Sequence, residues 1–485
     1  MLSGWTLGAV VEATGGRCAT EIGDLLLGGI STDSRQIRPK EVFVALEGER
    51  FDGHDFVGQV VDKGAACLVV SRLVEERYAR AVPQVVVPDT LRALGDLANY
   101  RRRLMRRLSS PVVVGLTGSC GKTTVKEMTA AILARHWPPG PDNPENCVLK
   151  TTGNFNNLIG MPVSLLPLGV KHRAAVIEMG MNRPGEIARL AEIAEPDISC
   201  ITNVHAAHLE GLHSIEGVAR AKEELFAGTS PDGVLVVNAD DPLVRRCAAT
   251  YRQRQVTFGL QGEAGGWHPD FWATGIEVGL EGLITFVLHL PGALVDVHLY
   301  AAGVHNVANA LAAAALAWSA GANPDEIAAG LSDFRAATKR MEMLTASAGF
   351  GILNDTYNAN PASMAAALRT LAQMRARVSV AILGDMLELG DSSEAAHREV
   401  GRLAAECRVD YLGLVGEYAG IVAGAARAAG IAGERVAVFA DKEEAAAWVE
   451  DLVRKGDLGK DGWVLVKASR GLKMETVVGR LAGKA

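Results

Sequence analysis

The sequence predicts an α/β protein of three domains, two of them organised around parallel sheets. Three observations carry that expectation. With 485 residues the chain is too long for one hydrophobic core. Short runs of continuous apolar residues recur between helical patterns, and a strand that is apolar on both faces belongs in a parallel sheet covered by helices on either side. One such run, Val112–Val114, leads into Gly118-Ser119-Cys120-Gly121-Lys122-Thr123-Thr124 and then a helical pattern. That is the order of a phosphate-binding turn: strand, glycine loop, helix.

Taken in order, residues 1–87 form the first unit, with short strands at Val42–Leu46, Cys67–Val70 and Gln84–Val87. Its densest polar stretch is Ser31-Thr32-Asp33-Ser34-Arg35, followed by Phe51-Asp52-Gly53-His54. Hydroxyls, a carboxylate and a guanidinium this close suit a phosphate or sugar ligand, though by itself such a cluster is more often a turn that caps itself. The central domain covers 88–333. It starts with a helix and connector to about 110, whose run Arg101–Arg103 with Arg106–Arg107 reads as a solvated face. Strands follow at Val112–Leu116, Ala175–Glu178, Ile198–Ile201 and Val234–Asn238, separated by helical patterns and, at Pro138–Pro144, a proline-rich loop. From about 255 to 300 strand follows strand, as in Ile284–Leu290 and Val295–Tyr300, which predicts an antiparallel appendage. A helix at His305–Trp318 ends at Gly321. The last domain, 334–485, alternates again, with strands at Gly351–Asn354, Val378–Leu383, Tyr411–Val415, Arg435–Phe439 and Trp463–Val466. It is a second α/β sheet without a phosphate loop of its own.

Composition narrows the function. Hydrophobic residues make up 48% and charged residues 22%, as in ordinary globular proteins. A net charge of −7 offers no global basic field, so nucleic acid is not expected as a partner. Seven cysteines stand singly without a C-x-x-C pair, which points to a reducing compartment. No basic segment followed by an apolar one opens the chain, and the longest weakly polar stretch, Val307–Ala320, is too short to span a bilayer. A soluble, cytoplasmic protein without membrane insertion is the expectation.

The chemistry is concentrated at strand ends. In the glycine loop, successive backbone N–H groups can face an anion and the helix N-terminus adds its positive end. Lys122 can reach the outer phosphates and the Thr123 hydroxyl can bind Mg²⁺. The longer loop form wants a glycine where this chain has Leu116, so this is the shorter G-x-x-G-K-T version. The bland alternative is a glycine-rich turn with an exposed lysine. Glu178 ends the strand AVIE, and His208 follows ISCITNV in HAAHLEGLH, with His205 and His213 nearby. Open α/β sheets place their sites at these strand ends. Glu178, His208 and Thr123 together could hold a hard cation beside the phosphates. Lys222, in AKEEL, reads by itself as a surface lysine at the start of a helical run. Asn154-Phe155-Asn156-Asn157 offers three amides to phosphate or acyl oxygens. In the last domain Arg340 could reach a phosphate across a domain cleft, and Asp355 a ribose or a metal. The turn Asp355–Pro361 follows, and Lys467-Ala468-Ser469-Arg470 ends the final strand.

Ten motifs occur in order: GSCGKTT, NFNN-x-IG-x-P, EMGMNRPGEI, ITNV-x-x-AHLEG, AKEEL, NADDP, HN-x-x-NALAA, NDTYNANPASM, LGDMLELG and KASRGLKME. Together, and across nearly the whole chain, they resemble the Mur ligases, the ATP-dependent amide ligases of peptidoglycan synthesis. NDTYNANPASM and EMGMNRPGEI are most similar to the members that join D-alanyl-D-alanine to UDP-N-acetylmuramoyl-tripeptide. The D-N-P-R motif of the ligases that add the third residue is missing. STDSR and FVAL-x-G-x-x-x-DGH-x-F are similar to the family's uridine-nucleotide-binding domain. The fold the resemblance implies is a small α/β uridine-nucleotide-binding domain, a central P-loop parallel-sheet ATPase domain with the antiparallel appendage, and a C-terminal Rossmann-like α/β domain.

The resemblance also implies roles. Gly118, Ser119, Cys120, Gly121, Lys122, Thr123 and Thr124 would cradle ATP, with Lys122 stabilising the transferred phosphoryl group. Thr123, Glu178, His208 and Lys222 would hold two Mg²⁺, Lys222 after carbamylation of its amine. Asn306, Arg340 and Asp355 would lie on the adenine–ribose–phosphate side, with Arg340 joining Lys122, Lys222 and His208 in catalysis. Thr32, Asp33, Ser34 and Arg35 would bind the uridine diphosphate. Asn156 and Asn157, whose register is ambiguous, and Asn358 and Asn360 would meet the peptide substrates. UDP-MurNAc-tripeptide and D-Ala-D-Ala are the implied small-molecule partners, and a monomer is expected. Because Lys122 lies on one domain and Arg340 and Asp355 on another, a closing motion that assembles the site is expected. The rivals are a family member with another amine acceptor and a nucleotide-switched binding protein. A switch has no need of the STDSR unit or the Asp355–Pro361 turn.

Overall fold

The computed structural model describes residues 4–18, 25–48, 51–74, 78, 82–140, 146–260, 269–279, 282–374 and 376–483. Part of the Pro138–Pro144 loop lies outside them. The architecture is α/β throughout, built on three main sheets and an antiparallel ribbon.

The first sheet has strands β1 (Arg17–Cys18), β2 (Ile30–Ser31), β3 (Val42–Val44), β4 (Cys67–Val70) and β5 (Gln84–Val86), in the order β1-β5-β4-β3-β2. Only the β1–β5 pair is antiparallel. Helix α1 (Thr90–Leu108) then leads towards the centre, capped by Asp89, whose carboxylate accepts from the Arg92 N–H.

The central sheet contains β6 (Val112–Thr117), β7 (Val148–Lys150), β8 (Ala174–Glu178), β9 (Ile198–Ile201), β10 (Val234–Asn238) and β11 (Arg254–Phe258). Its order is β11-β10-β9-β6-β8-β7, and every pairing is parallel. Strand β6 has β8 on one side and β9 on the other, so a crevice opens at its C-terminal end, where such sheets hold their ligands. Helices α2 (Lys122–His136), α3 (Gly160–Leu165), α4 (Glu186–Ala194) and α5 (Ile215–Ala227) join these strands.

The ribbon β12 (Trp272–Val278), β13 (Leu283–Leu290), β14 (Ala293–Tyr300) is antiparallel, with β13 alternating half-buried and buried residues as a one-faced strand should. It begins later than the sequence predicts. Arg254–Phe258 joins the parallel sheet as its edge, because Val256 and Phe258 are buried in the core shared with β10. Helices α6 (His305–Ser319) and α7 (Pro324–Asp333) follow.

The last sheet has β15 (Glu342–Thr345), β16 (Gly351–Asp355), β17 (Ser379–Gly384), β18 (Tyr411–Val415), β19 (Val436–Phe439) and β20 (Trp463–Lys467), ordered β15-β16-β20-β17-β18-β19. β15 alone runs antiparallel to its neighbour. Helices α8 (Pro361–Gln373), α9 (Ser393–Glu406) and α10 (Ala419–Ala428) lie between its strands in sequence. Asp355 pairs in register with Lys467, so the ends of β16 and β20 bring these two together.

Two expectations about charged residues fail. Arg101 and Arg102 are buried, and Lys222 lies in the middle of α5, not at its start. Arg102 donates to the carbonyls of Ala194, Glu195 and Pro111 and pairs with Asp197 at 2.7 Å. It thus ties α1 to the ends of α4 and the start of β6. Arg102→Ala leaves the buried carbonyls without their donor, while Asp197 keeps its bond from the Val113 N–H. The loss expected is about 1–3 kcal/mol, the scale for leaving buried acceptors unsatisfied. An earlier urea transition of the central body is the readout.

Candidate active site

The phosphate loop turns between β6 and α2 under tight steric control. A Cβ on Gly118 would fall 1.8 Å from Thr202 Oγ1. At Gly121, φ is +80°, and a Cβ would fall 2.4 Å from Asn309 Oδ1. Both positions therefore require glycine. Helix α2 starts after Gly121 with no side-chain cap, which leaves its first N–H groups for an anion. The loop is braced from behind by the turn after β9. Asn203 Oδ1 accepts from the Cys120 N–H at 2.9 Å, and the Thr202 hydroxyl donates to the Cys120 carbonyl at 2.7 Å. The Ser119 hydroxyl donates to the His205 carbonyl at 3.0 Å.

Inside the loop the Lys122 ammonium donates to the Gly118 carbonyl at 2.6 Å. Burial lowers its pKa from the ordinary lysine value, and the nearby Glu178 carboxylate works against that. Register places Glu178 beside Leu116, so the end of β8 delivers a carboxylate next to the loop. Thr123 Oγ1 donates to Glu178 Oε2 at 2.8 Å, and Asn156 Nδ2 donates to Glu178 Oε1 at 2.8 Å. Lys126, fully buried on α2, donates to the Thr151 carbonyl at 2.8 Å. That bond anchors the segment that carries Asn154 and Asn156. Asn157 has a different use: its Oδ1 accepts from the Gly160 N–H at 2.8 Å and fastens the start of α3.

Lys222 is 2% exposed, and its amine lies 3.9 Å from the Met181 sulfur. Burial, with the Lys122 charge adding to it, holds its pKa well below the ordinary lysine value. The amine is therefore driven towards its neutral form. His208 Nδ1 lies 2.7 Å from Glu388 Oε2 of the last domain.

That domain forms the opposite wall. The Arg340 guanidinium stacks over the Tyr357 ring, 3.8 Å from its centre. Lys467 Nζ donates to Asp355 Oδ2 at 2.5 Å and to the Asn358 carbonyl at 2.8 Å. Asn360 caps α8 in a box with Ser363. The same Oδ1 accepts from the Cys120 thiol at 3.3 Å, so the two domains meet at the phosphate loop. On α6, Asn306 donates to the Ala302 carbonyl and accepts from Asn309. Burial holds the neighbouring His305 down to about 4, against the pull of Asp355.

These walls enclose a cavity of about 1030 Å³. Its lining includes Ser119 to Thr124, Asn156, Asn157, Glu178, His208, Asn306, Arg340, Asp355, Asn358 and Asn360. Thr32, Asp33, Ser34 and Arg35 are not part of that lining. They form a turn in which Asp33 accepts from the Arg35 backbone and side chain, and those bonds lower the Asp33 pKa to about 2. Lys63, which sequence reasoning missed, donates to the Ser34 and Arg35 carbonyls. Also missed were the bracing pair Thr202–Asn203, Asn309 and Glu388, while Tyr357 and Lys467 were named within their segments without a role. Most of them stand inside the motifs ITNV, HN-x-x-NALAA, NDTYNANPASM, KASRGLKME and LGDMLELG, where the order of the motifs is the stronger signal and no single side chain stands out.

Cys18, Cys120 and Cys407 are half-buried and Cys67, Cys147, Cys200 and Cys247 buried; of the half-buried three, Cys120 is the one that lines the cavity. Alkylation by N-ethylmaleimide is expected to mark Cys120, fill the loop and block ATP binding. Cys120→Ala should abolish that sensitivity, and peptide mass mapping with a nucleotide-binding assay checks both.

Known proteins match along the chain. The Mur ligase family catalytic domain matches residues 27–102, the Mur ligase middle domain 116–317, and the Mur ligase glutamate ligase domain 339–470. The UDP-N-acetylmuramoyl-tripeptide–D-alanyl-D-alanine ligase of Escherichia coli K12 is 40% identical over 94% of each chain. That of Bacillus subtilis 168 is 36% identical over 93% of this chain and 92% of its own. A crystal structure of MurF from Acinetobacter baumannii superposes with a TM-score of 0.87 at 36% identity, covering 99% of both chains. The MurF ligase of Thermotoga maritima in complex with ADP superposes at 0.80 with 27% identity, over 95% of this chain and 99% of its own. With the three matched domains in order and relatives that span nearly its full length, the chain belongs to the Mur ligase family.

Proposed function

We propose that the chain is an ATP-dependent ligase that joins D-alanyl-D-alanine to UDP-N-acetylmuramoyl-tripeptide, giving the UDP-MurNAc-pentapeptide of peptidoglycan synthesis. The observation that carries this reading is the cavity in which a phosphate loop faces the strand ends of a second α/β sheet, in a chain with full-length relatives of that activity.

A carboxylate is a poor acyl donor because its leaving group would be oxide. The tripeptide carboxylate attacks the γ-phosphorus of ATP; a carboxylate-oxygen-to-phosphorus bond forms and the bond to ADP breaks. The D-Ala-D-Ala amine then attacks the acyl carbon, the carbon–nitrogen bond forms, the amine gives up its proton and phosphate leaves. Positioning and charge stabilisation supply most of the catalysis in such transfers. Lys122 meets the transferred phosphoryl oxygens, and Arg340 approaches them from the other wall, held flat by Tyr357. Asn306 and Asp355 serve the nucleoside side. Asn156, Asn358 and Asn360 serve the peptides, Thr32 to Arg35 the uridine diphosphate.

The donor set fits Mg²⁺ through the Thr123 hydroxyl and the Glu178 carboxylate, hard oxygen donors bonded to each other beside the loop; the His208 imidazole, a borderline nitrogen donor, lines the same cavity. Bound there, two Mg²⁺ supply positive charge beside the phosphates. Lys222 fits carbamylation for a physical reason: a buried neutral amine has its lone pair free to add to CO₂, and loss of a proton then leaves an anion where a neutral amine was. A nucleotide-linked substrate and ATP support a cytoplasmic setting, and no helix among the described residues is long and apolar enough to cross a membrane.

Phosphate release from Mg-ATP, measured with both substrates and with each alone, tests the reading. Release that needs both, with the pentapeptide found by mass, is the expected result. Release with another amine in place of D-Ala-D-Ala would move the acceptor, and no stimulation by either substrate would overturn the ligase.

A further inference from the structure

His208 and Glu388 face each other from different domains, one in the loop after β9 and one in the loop after β17. His208 Nδ1 and Glu388 Oε2 are 2.7 Å apart. The Glu210 N–H also approaches the Glu388 carbonyl at 3.4 Å. Both residues hold left-handed backbone, with φ of +55° and +64°. Neither is a residue that adopts that region readily, and such conformations persist where surrounding bonds aim a side chain.

Those bonds are present around Glu388. The Leu387 N–H donates to Ser469 Oγ at 2.9 Å, and the Met386 N–H donates to His397 Nε2 at 2.9 Å. Asp385, at the root of the loop, accepts from the Glu417 and Tyr418 N–H groups at 2.8 and 3.1 Å. The loop is therefore fixed to α9, to the start of α10 and to the segment after β20. Glu388 itself stays half in solvent, with 52% of its side chain exposed, so packing does not require it.

An ionised carboxylate only accepts, so Nδ1 is the donor in this pair and Nε2 keeps its lone pair. A carboxylate behind a metal-binding histidine fixes its tautomer and ring orientation and raises its strength as a ligand. We infer that Glu388 is a positioning residue for the divalent cation site: the C-terminal domain supplies it to set the His208 ring with Nε2 as the ligating atom. The inference rests on the reading of His208 as a ligand. It gives domain contact a chemical consequence, because the cation site is complete only while the two domains meet. The Asn360 contact with Cys120 belongs to the same meeting.

Mn²⁺ titration, followed by the electron paramagnetic resonance of free Mn²⁺ in the presence of a non-hydrolysable ATP analogue, tests it on the full chain. The set is wild type, His208→Ala, Glu388→Ala and Glu388→Gln. Glu388→Ala is expected to weaken Mn²⁺ binding by about 10- to 100-fold, the scale of a lost outer partner. Its kcat should fall while KM for the UDP-linked tripeptide stays near wild type. Glu388→Gln should recover most of both, because its amide oxygen still accepts from Nδ1. Wild-type Mn²⁺ affinity in Glu388→Ala, with His208→Ala impaired, would overturn the inference and leave the ligand reading standing. An equal loss in the Ala and Gln variants would overturn it as well. Wild-type affinity in His208→Ala would remove the ligand reading and this inference with it.

Discussion

Lys122→Ala lowers kcat by about a thousandfold, the scale for removing one preorganised group that meets charge developing in a transition state. At about 1.4 kcal/mol per tenfold, that is roughly 4 kcal/mol. The effect belongs to the chemical step. Lys122 lies within the loop, held to the Gly118 carbonyl, and is the lysine of that turn. Arg340 stands on the other wall and cannot replace it, since its guanidinium is stacked on Tyr357. The fold should survive, because Thr202 and Asn203 brace the loop independently of Lys122. Steady-state kinetics beside circular dichroism checks both halves. A variant that keeps wild-type kcat would remove Lys122 from the phosphoryl transfer.

Lys222→Ala loses activity on a similar scale, about 100- to 1000-fold, for a different reason. A lysine with 2% exposure and no carboxylate partner among the described residues is expensive to keep buried as a cation. As the proposed carbamate it would be an oxygen ligand. Truncation leaves a space beside Met181 that a small carboxylate can enter. Acetate or formate at high concentration should therefore restore part of the rate to Lys222→Ala and none to Lys122→Ala. Wild-type turnover in Lys222→Ala, or equal rescue of both variants, would contradict the carbamate.

The strand pattern was legible because a continuous apolar run between two helical patterns must be covered on both faces, and a parallel sheet between helix layers does that. Ile198–Ile201, Val234–Asn238 and Tyr411–Val415 stand where the runs predict. Arg254–Phe258 was harder, since a short strand does not reveal whether its neighbour runs parallel. The buried cations are harder to read because charged side chains are seldom fully buried unless paired, although the helical period marks them. On α1 the buried stripe Leu94, Leu97, Ala98, Arg101, Arg102, Met105 follows helical spacing straight through the arginines. On α5, Val218, Lys222 and Leu225 do the same, and on α2, Lys126 with Thr129 and Leu133. A cation on the apolar stripe was the available signal. The phosphate loop was legible from local spacing alone, because one turn makes it. Glu388 with His208 and Cys120 with Asn360 were not, because each pair is assembled by two domains far apart in the chain. The turn proposed for the uridine side satisfies much of its own polarity through Asp33 and Arg35, so its residue types fit a self-capped turn as well as a ligand.

The central claim is that the cavity activates a carboxylate by phosphorylation before the amine arrives. Tripeptide labelled with ¹⁸O in its terminal carboxylate, turned over with Mg-ATP and D-Ala-D-Ala, tests that directly through the mass of the released phosphate. The account predicts one labelled oxygen in each phosphate, carried there when the acyl carbon–oxygen bond breaks. Phosphate free of label, with one labelled oxygen in the amide and the other in water or in a nucleoside monophosphate, would contradict it.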